Sequence, residues 1–141
     1  MQEGKVSFYT EENVTIALSA RYCGLTTLPV SFDQLTSLRE IDLTGNRLTS
    51  LPPEIGQLTN LETLNLYKNE LVSLPESLWQ LVNLQTLNLA ENRLVSLSDG
   101  IGKLVNLHTL DLGHNRLSSL PDALGNLTGL TRFLYLSHNQ L

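Results

Sequence analysis

The sequence predicts an α/β solenoid: a horseshoe of stacked units with a parallel concave β-sheet and short 3₁₀ or single α turns on the convex side. Two observations lead to this fold class. Leucine accounts for 33 of the 141 residues, and so uniform an apolar composition indicates internal repetition. Asparagines also recur every 23 residues with leucines at fixed positions around each of them, at Asn46, Asn69, Asn92 and Asn115.

Each repeated unit is predicted to contribute one short strand to the sheet. The pattern is L-x-x-L-x-L-x-x-N-x-L, and its L-x-L step places two leucines on one face of a strand while the residue between them faces the other way. Stacked strands of this kind form a parallel sheet whose polar positions line up in columns. The four full units begin with the pattern at residues 38–48, 61–71, 84–94 and 107–117.

The second half of each unit returns the chain along the convex side. In residues 51–58 two prolines end the strand, and Ile55 and Leu58 are spaced as one helical turn. The segment is too short for a long helix, which favours 3₁₀ or single α turns. One unit cannot bury its apolar face alone, so we expect the units to fold together as a single domain over residues 1–141.

The asparagine column is predicted to be structural. A buried amide can satisfy its donor and acceptor groups against the backbone of neighbouring turns, where no strand ladder reaches. We therefore assign the asparagines no chemistry. In the first unit Cys23 takes the asparagine position, and there we expect a small buried side chain rather than a reactive thiol.

The amino-terminal residues 1–14 are predicted to form a β-hairpin that caps the core, followed by 23-residue repeats over residues 15–129. Val6 and Phe8 alternate with polar residues, residues 10–13 are typical of a turn, and the alternation resumes at Val14. The hairpin would therefore lie against the first repeat.

Residues 130–141 are predicted to be an incomplete last repeat with an open end. Asn139 follows Asn115 by 24 residues rather than 23, which favours a β-bulge near Phe133. The sequence stops at Leu141, in mid-unit and without the polar cap that solenoids need. This favours a fragment of a longer array, and the alternative is an end-to-end homodimer that buries the open end.

These motifs resemble the intracellular 23-residue leucine-rich repeat proteins, whose L-P-x-x-I/L-G-x-L-x-x-L signature occurs in Ras-binding scaffold proteins, their plant relatives and some bacterial proteins. The resemblance covers residues 14–141. It implies a curved solenoid that binds proteins on its concave sheet, and a family without shared catalytic residues. Three positions depart from the pattern, with Ser98 in place of proline, Trp79 in place of glycine and Gly129 in place of asparagine.

Trp79 has two interpretations. It covers the apolar ridge near Leu74 and Leu78, which we favour, or it contacts a partner on the convex side. The sequence alone leaves this choice open.

The polar strand positions are predicted to form a protein-binding surface on the concave side. Tyr67 and Tyr135 are candidate aromatic anchors, and Arg93 and Arg116 are candidate charge contacts. The alternative is a structural capping or spacer segment of a larger receptor or effector, with no binding site of its own. The candidate partner-binding residues are Asp42, Asn65, Tyr67, Asn88, Arg93, Asp111, His114, Arg116 and Tyr135.

Composition argues against several kinds of partner. The net charge is −5, from 9 Lys and Arg against 14 Asp and Glu, so we expect no binding to nucleic acid. No apolar stretch approaches a membrane span, and the first residues do not resemble a signal peptide. The single cysteine permits no internal disulfide, which favours a cytoplasmic location, with an extracellular one left open if a leader has been removed.

We expect neither catalysis nor a bound cofactor or metal ion. A hydrolytic site needs a nucleophile, a base and an orienting group in one pocket, and Ser19, Asp111 and His114 do not converge in this way on an open sheet. Asp42 and Asp111 lie about 14 Å apart by strand spacing, too far for a glycosidase pair. His114 and His138 share a column in successive units but lack a third fixed ligand.

Overall fold

The computed structural model describes residues 4–29, 31 and 34–141, and residues 1–3 of the predicted hairpin cap lie outside the described part. The predicted fold class is confirmed: the described chain forms an open sheet whose strand order follows the sequence. The strands are β1 (Ser7–Glu11), β2 (Val14–Ser19), β3 (Glu40–Asp42), β4 (Thr63–Asn65), β5 (Thr86–Asn88), β6 (Thr109–Asp111) and β7 (Phe133–Tyr135).

Strands β1 and β2 form an antiparallel hairpin at the amino-terminal end of the sheet. Its two turn residues, Glu12 and Asn13, have φ angles of 49° and 64°, the left-handed conformation that two-residue hairpin loops require. Tyr9 pairs with Ala17 and Thr10 with Thr15, so β2 has one extra residue between those pairs. Because β2 also pairs with β3 in parallel, the hairpin and the first repeat share a strand.

The middle residue of each parallel strand points into the core. Leu64, Leu87 and Leu110 are fully buried and lie in register with one another. The equivalent Leu134 of β7 is 42% exposed, because no further layer of the described chain packs against it. The core therefore runs the length of the solenoid and is open at this end.

Short 3₁₀ helices line the convex side, as the sequence predicted. Three of them follow a proline in extended conformation, and the one that follows Ser98 is capped by the Ser98 hydroxyl, which accepts a 3.0 Å hydrogen bond from the Gly100 amide. Proline restricts the backbone before the other three helices, whereas Ser98 stabilises the start of its helix through a side-chain hydrogen bond. No helix in the described ranges has the length and apolar character needed to cross a membrane. The 3₁₀ helices are Pro53–Gln57, Glu76–Gln80, Asp99–Lys103 and Asp122–Asn126.

Trp79 lies in one of these helices and packs into the core. Its side chain is only 1% exposed, which confirms the packing interpretation. A Cβ on Gly100 would overlap the indole ring, so the next helix makes room for the tryptophan by having no side chain there. In the part of the chain that the structure describes, the other three 3₁₀ helices have glycine at the Trp79 position, at Gly56, Gly102 and Gly125.

The asparagine column has the predicted structural role. The Oδ1 atom of Asn92 accepts a 3.0 Å hydrogen bond from the Leu71 amide, and its Nδ2 donates to the Leu66 and Leu89 carbonyls at 3.0 Å. Each asparagine therefore joins its own turn to the preceding unit. The same bonds recur at Asn46, Asn69, Asn115 and Asn139.

A second ladder of asparagines, which the sequence analysis did not identify, runs along the edge where the chain enters each strand. Asn60, Asn83 and Asn106 donate to the main-chain carbonyl 24 residues earlier, at 2.7–2.9 Å. The ladder stops at Gly129, which takes the equivalent position in the last unit. There a Cβ would come within 2.9 Å of the Val105 carbonyl oxygen, so the close approach of the two turns excludes a side chain.

The bulge predicted near Phe133 is wrong in its position. Arg132 and Phe133 both donate to the His108 carbonyl, as Gln85 and Thr86 both donate to the Glu62 carbonyl. Phe133 is therefore level with the first residues of the other parallel strands. The extra residue is Thr131, whose amide donates to the Gly129 carbonyl at 2.7 Å. The insertion is therefore absorbed in the turn before β7, and the strand keeps its regular register.

Candidate functional site

The concave face is built from two rows of side chains that flank the core-facing middle residue of each parallel strand. Parallel pairing in register aligns them from β2 to β7, about 4.8 Å apart. We call them the threonine row and the carboxamide row. The threonine row is Ala17, Glu40, Thr63, Thr86, Thr109 and Phe133, and the carboxamide row is Ser19, Asp42, Asn65, Asn88, Asp111 and Tyr135.

Five of the predicted partner-binding residues lie in the carboxamide row. In four of them one side-chain oxygen is already used, because it accepts a hydrogen bond from the backbone amide two residues later, at 3.0–3.1 Å. This bond fixes the chain as it leaves each strand. It leaves the second polar atom of Asn65, Asn88 and Asp111 available to a ligand, whereas the second oxygen of Asp42 already lies 3.5 Å from Arg21 Nε. These residues are Asp42, Asn65, Asn88 and Asp111, and the fifth is the half-exposed Tyr135.

Tyr67 is the predicted aromatic anchor in the middle of the face. Its hydroxyl donates a 2.9 Å hydrogen bond to Glu91 of the next unit. This bond to the Glu91 carboxylate, together with desolvation, raises the pKa of Tyr67 above its ordinary value. The bond therefore joins the Tyr67 side chain to the next unit of the sheet.

The predicted charge contacts differ from each other. Arg93 pairs with Glu70 at 3.1 Å, and Arg47 approaches the same carboxylate at 3.7 Å. Arg116 makes no ion pair with any described residue. A partner carboxylate would therefore compete with Glu70 for Arg93, whereas Arg116 is available to it directly.

His114 and His138 lie in successive loops with their rings stacked, the centroids 4.0 Å apart and the planes 8° from parallel. His108 lies elsewhere, on a polar groove of about 440 Å³ along the entry edge of the sheet, which it lines with Asn83 and Asn106. Within residues 4–29, 31 and 34–141, no three His, Cys, Asp or Glu side chains come together as a metal site requires.

Sequence reasoning missed the contribution of the hairpin to the concave face. Tyr9 pairs with Ala17 and Ser7 with Ser19, so β1 extends both rows by one strand. Tyr9 is 65% exposed. The alternation of β1 could have predicted this contribution. Phe8 pairs with the buried Leu18, so Ser7 and Tyr9 on either side of Phe8 must face the concave side.

A family model described as leucine rich repeat matches residues 36–94 and 83–141, which together make up most of the sequence. The chain belongs to the leucine-rich repeat family. No curated protein sequence matches this leucine-rich repeat chain significantly.

Solved structures of other leucine-rich repeat proteins are similar to it. A leucine-rich repeat protein of Leptospira interrogans is 44% identical with a TM-score of 0.78, over 82% of this chain and 29% of that one. The BIR2 ectodomain from Arabidopsis thaliana is 30% identical with a TM-score of 0.76, over 96% of this chain and 73% of that one. The sequence described here therefore spans under a third of the Leptospira protein.

A third similar structure contains a bound partner. It is the leucine-rich repeat ectodomain of the plant membrane receptor kinase GASSHO1/SCHENGEN3 from Arabidopsis thaliana, in complex with CASPARIAN STRIP INTEGRITY FACTOR 2. It is 42% identical to this leucine-rich repeat chain with a TM-score of 0.72, over 80% of this chain and 14% of that one.

Proposed function

We propose that the chain binds a protein partner on its concave sheet, in a recognition or scaffold role. The observation that carries the proposal is the uncovered threonine row. Thr63, Thr86 and Thr109 remain partly exposed, and no described element packs across them. Open sheet faces with aligned side chains are the surfaces on which solenoid proteins bind their partners.

The shape of the concave face supports this proposal. Ala90 and Gly113 are small and buried and take the position of Tyr67 in the next two units, so they form a shallow floor beside the Tyr67 ring. Aromatic side chains at the edge of a shallow depression are typical of residues that dominate binding energy. The complex of GASSHO1/SCHENGEN3 with CASPARIAN STRIP INTEGRITY FACTOR 2 gives further support from a similar fold.

A charge introduced into the threonine row tests the proposal. Proteins of the source cells are captured on the immobilised chain, identified, purified and measured for direct binding. We expect Thr86→Arg to abolish binding, because it places a bulky charge in the centre of the face. The matched control is Gln80→Arg, which adds the same charge at an exposed position of a convex 3₁₀ helix and should leave binding unchanged.

Other outcomes point away from the concave face. Equal binding by both variants, or loss only in Gln80→Arg, would contradict the proposal. A wild-type chain that captures no partner would favour the alternative, a structural capping or spacer segment. Arg116→Glu is a second test, because Arg116 is a predicted contact that has no ion-pair partner among the described residues. It should weaken binding to a partner that places a carboxylate at this position, without lowering stability.

We also propose that two copies of the chain associate end to end through β7. Its apolar side chains are exposed, with Phe133 at 54%, Leu134 at 42% and Tyr135 at 46%. An unpaired strand edge beside an uncovered core is a template for pairing with another chain. Light scattering over a concentration series should show a dimer that Leu134→Lys converts to a monomer of 15.7 kDa, while a wild-type monomer at every concentration would contradict it.

Two further proposals concern location and chemistry. The chain acts inside the cell, in the cytoplasm, which is supported by Cys23 being its single cysteine. It acts by binding and has no catalytic role. Protease treatment of intact source cells tests the location: the chain should resist digestion until the cells are lysed.

A further inference from the structure

A notch lies on the concave face where the hairpin meets the first repeats. Tyr9 of β1 pairs with Ala17 of β2, and Ala17 is in register with Glu40 of β3. Leu18, the residue after Ala17, is buried in the core, so these three side chains all face the concave side. The order along the row is therefore an aromatic ring, a methyl group and a carboxylate.

The notch has the width of one side chain. Tyr9 and Glu40 are separated by two strand spacings, about 10 Å, and Ala17 between them contributes no atom beyond its Cβ. The surrounding open pocket measures about 480 Å³ and is also lined by Ser7, Ser19, Arg21 and Asp42. A partner side chain can therefore enter between the ring and the carboxylate.

The chemistry of the notch favours a cation. The Tyr9 ring is 65% exposed, and Glu40 is exposed and forms no ion pair with the described residues. Beside it, Arg21 Nε lies 3.5 Å from Asp42 Oδ2. Because the charges of these two residues offset each other, the charge of Glu40 is the one left for a partner cation. A ring face attracts a cation, and the net charge of −5 favours the approach of a basic partner.

We propose that the notch binds a lysine or arginine side chain from a basic segment of the protein partner. The proposal rests on the concave-face function above and names the chemistry of its partner at one point. Arginine fits better than lysine, because its planar guanidinium can stack on Tyr9 while it donates two hydrogen bonds to Glu40.

The test uses a tripeptide as the probe. Acetyl-Gly-Arg-Gly-amide is titrated into isotope-labelled chain, and binding is followed by amide correlation NMR spectra. We expect saturable shifts centred on Tyr9, Ala17 and Glu40. The same peptide with citrulline in place of arginine has nearly the same shape but no charge, and it should produce no saturable shift at these positions.

Two variants test the walls of the notch. Glu40→Gln should weaken binding of the arginine peptide about fivefold, as the loss of a partly exposed charge pair implies, and Tyr9→Leu should weaken it by a similar factor through loss of the ring face. Glu12→Gln removes the same charge at the hairpin turn, outside the notch, and should bind as the wild type does. The amide spectrum of each variant without peptide should match that of the wild type away from the substituted residue, which confirms that the variant is folded.

The proposal is overturned by equal binding of the citrulline peptide, by unchanged affinity in Glu40→Gln, or by shifts that avoid the notch up to the solubility limit of the peptide. These results leave the concave-face function standing if Thr86→Arg still abolishes partner binding. Conversely, a partner that binds Thr86→Arg as tightly as the wild type contradicts the concave-face function, even if the arginine peptide binds in the notch.

Discussion

The indole of Trp79 occupies the space that a side chain on Gly100 would fill. The two residues belong to adjacent convex 3₁₀ helices. Trp79 is larger than the glycine at the same position of the other described helices, and Gly100 is smaller than the residues at its own equivalent positions. A large side chain in one layer is thus matched by an absent side chain in the next. Close packing of interiors makes such a pair interdependent.

The first prediction is that these two positions are coupled in stability. Trp79→Ala should cost about 3–5 kcal/mol because it removes a buried aromatic side chain. Gly100→Ala should cost about 1–3 kcal/mol through overpacking against the ring. In the Trp79→Ala background, however, Gly100→Ala should cost much less, since the clash is gone.

Denaturant unfolding followed by circular dichroism measures all four members of this cycle. A cost of Gly100→Ala that is the same with and without Trp79 would show that the ring does not set the requirement for glycine. Gly125→Ala is the matched control, because nothing lies within 4 Å of a Cβ at that position. It should change stability little.

The second prediction separates the two asparagine ladders. Asn92 is 7% exposed, and its side chain bonds to the Leu71 amide and to the Leu66 and Leu89 carbonyls. The two carbonyls also accept a hydrogen bond from a neighbouring asparagine of the column, whereas the Leu71 amide has no other described partner. We expect Asn92→Ala to cost about 2–4 kcal/mol, because the buried Leu71 amide loses its acceptor and the two bonds to the carbonyls are lost as well. Asn83 is exposed and makes one bond, so Asn83→Ala should cost about 1 kcal/mol or less.

Thermal and denaturant unfolding of the two variants check this difference. An unchanged melting temperature in Asn92→Ala would contradict the structural role of the buried column. A comparable loss in both variants would mean that the exposed ladder contributes as much as the buried one.

The sequence predicted those features that repeat with the period of the units. The strand positions, the convex turns and the role of Asn92 all follow from the 23-residue spacing, because each unit must solve the same packing problem. The periodic pattern also placed the carboxamide row on the concave face. Residues 1–14 lack the repeat, so their register against β2, and with it the position of Tyr9, required the structure.

Pairing between side chains could not be predicted in the same way. Glu70 lies between Arg47 and Arg93, and Tyr67 bonds to Glu91, but these choices depend on rotamers that a linear pattern does not contain. The extra residue of the last unit illustrates the same limit. Its existence followed from the spacing of Asn115 and Asn139, whereas its position at Thr131 depended on the hydrogen bonds of the turn.

The third prediction concerns Gly45. This residue has a φ angle of +71°, in the left-handed region that favours glycine, and the Tyr22 ring lies where its Cβ would be. Gly45→Ala should therefore cost about 1–2 kcal/mol from backbone strain and should also displace the tyrosine. Denaturant unfolding measures the cost, and a shift of the Tyr22 ring signals in NMR spectra reports the displacement; an unchanged midpoint would contradict this reading.

The last prediction is a pH dependence that Tyr67 and Glu91 create together. The hydrogen bond to the Glu91 carboxylate raises the pKa of Tyr67 above its ordinary value of 10.0. The unfolded chain therefore loses this proton at lower pH than the folded chain does. The stability that the bond contributes is complete below the unfolded pKa and is lost as the pH rises through the folded pKa.

Tyr67→Phe tests this dependence. Unfolding midpoints measured from neutral to strongly alkaline pH should fall less steeply in the variant than in the wild type, because the phenylalanine has no proton to lose. Glu91→Gln should bring the pKa of Tyr67 back toward 10.0, as seen in the difference between tyrosinate absorbance titrations with and without Tyr67. Parallel alkaline profiles for wild type and Tyr67→Phe would show that the bond to Glu91 does not persist in solution, and the anchor on the concave face would then be free to reorient when a partner binds.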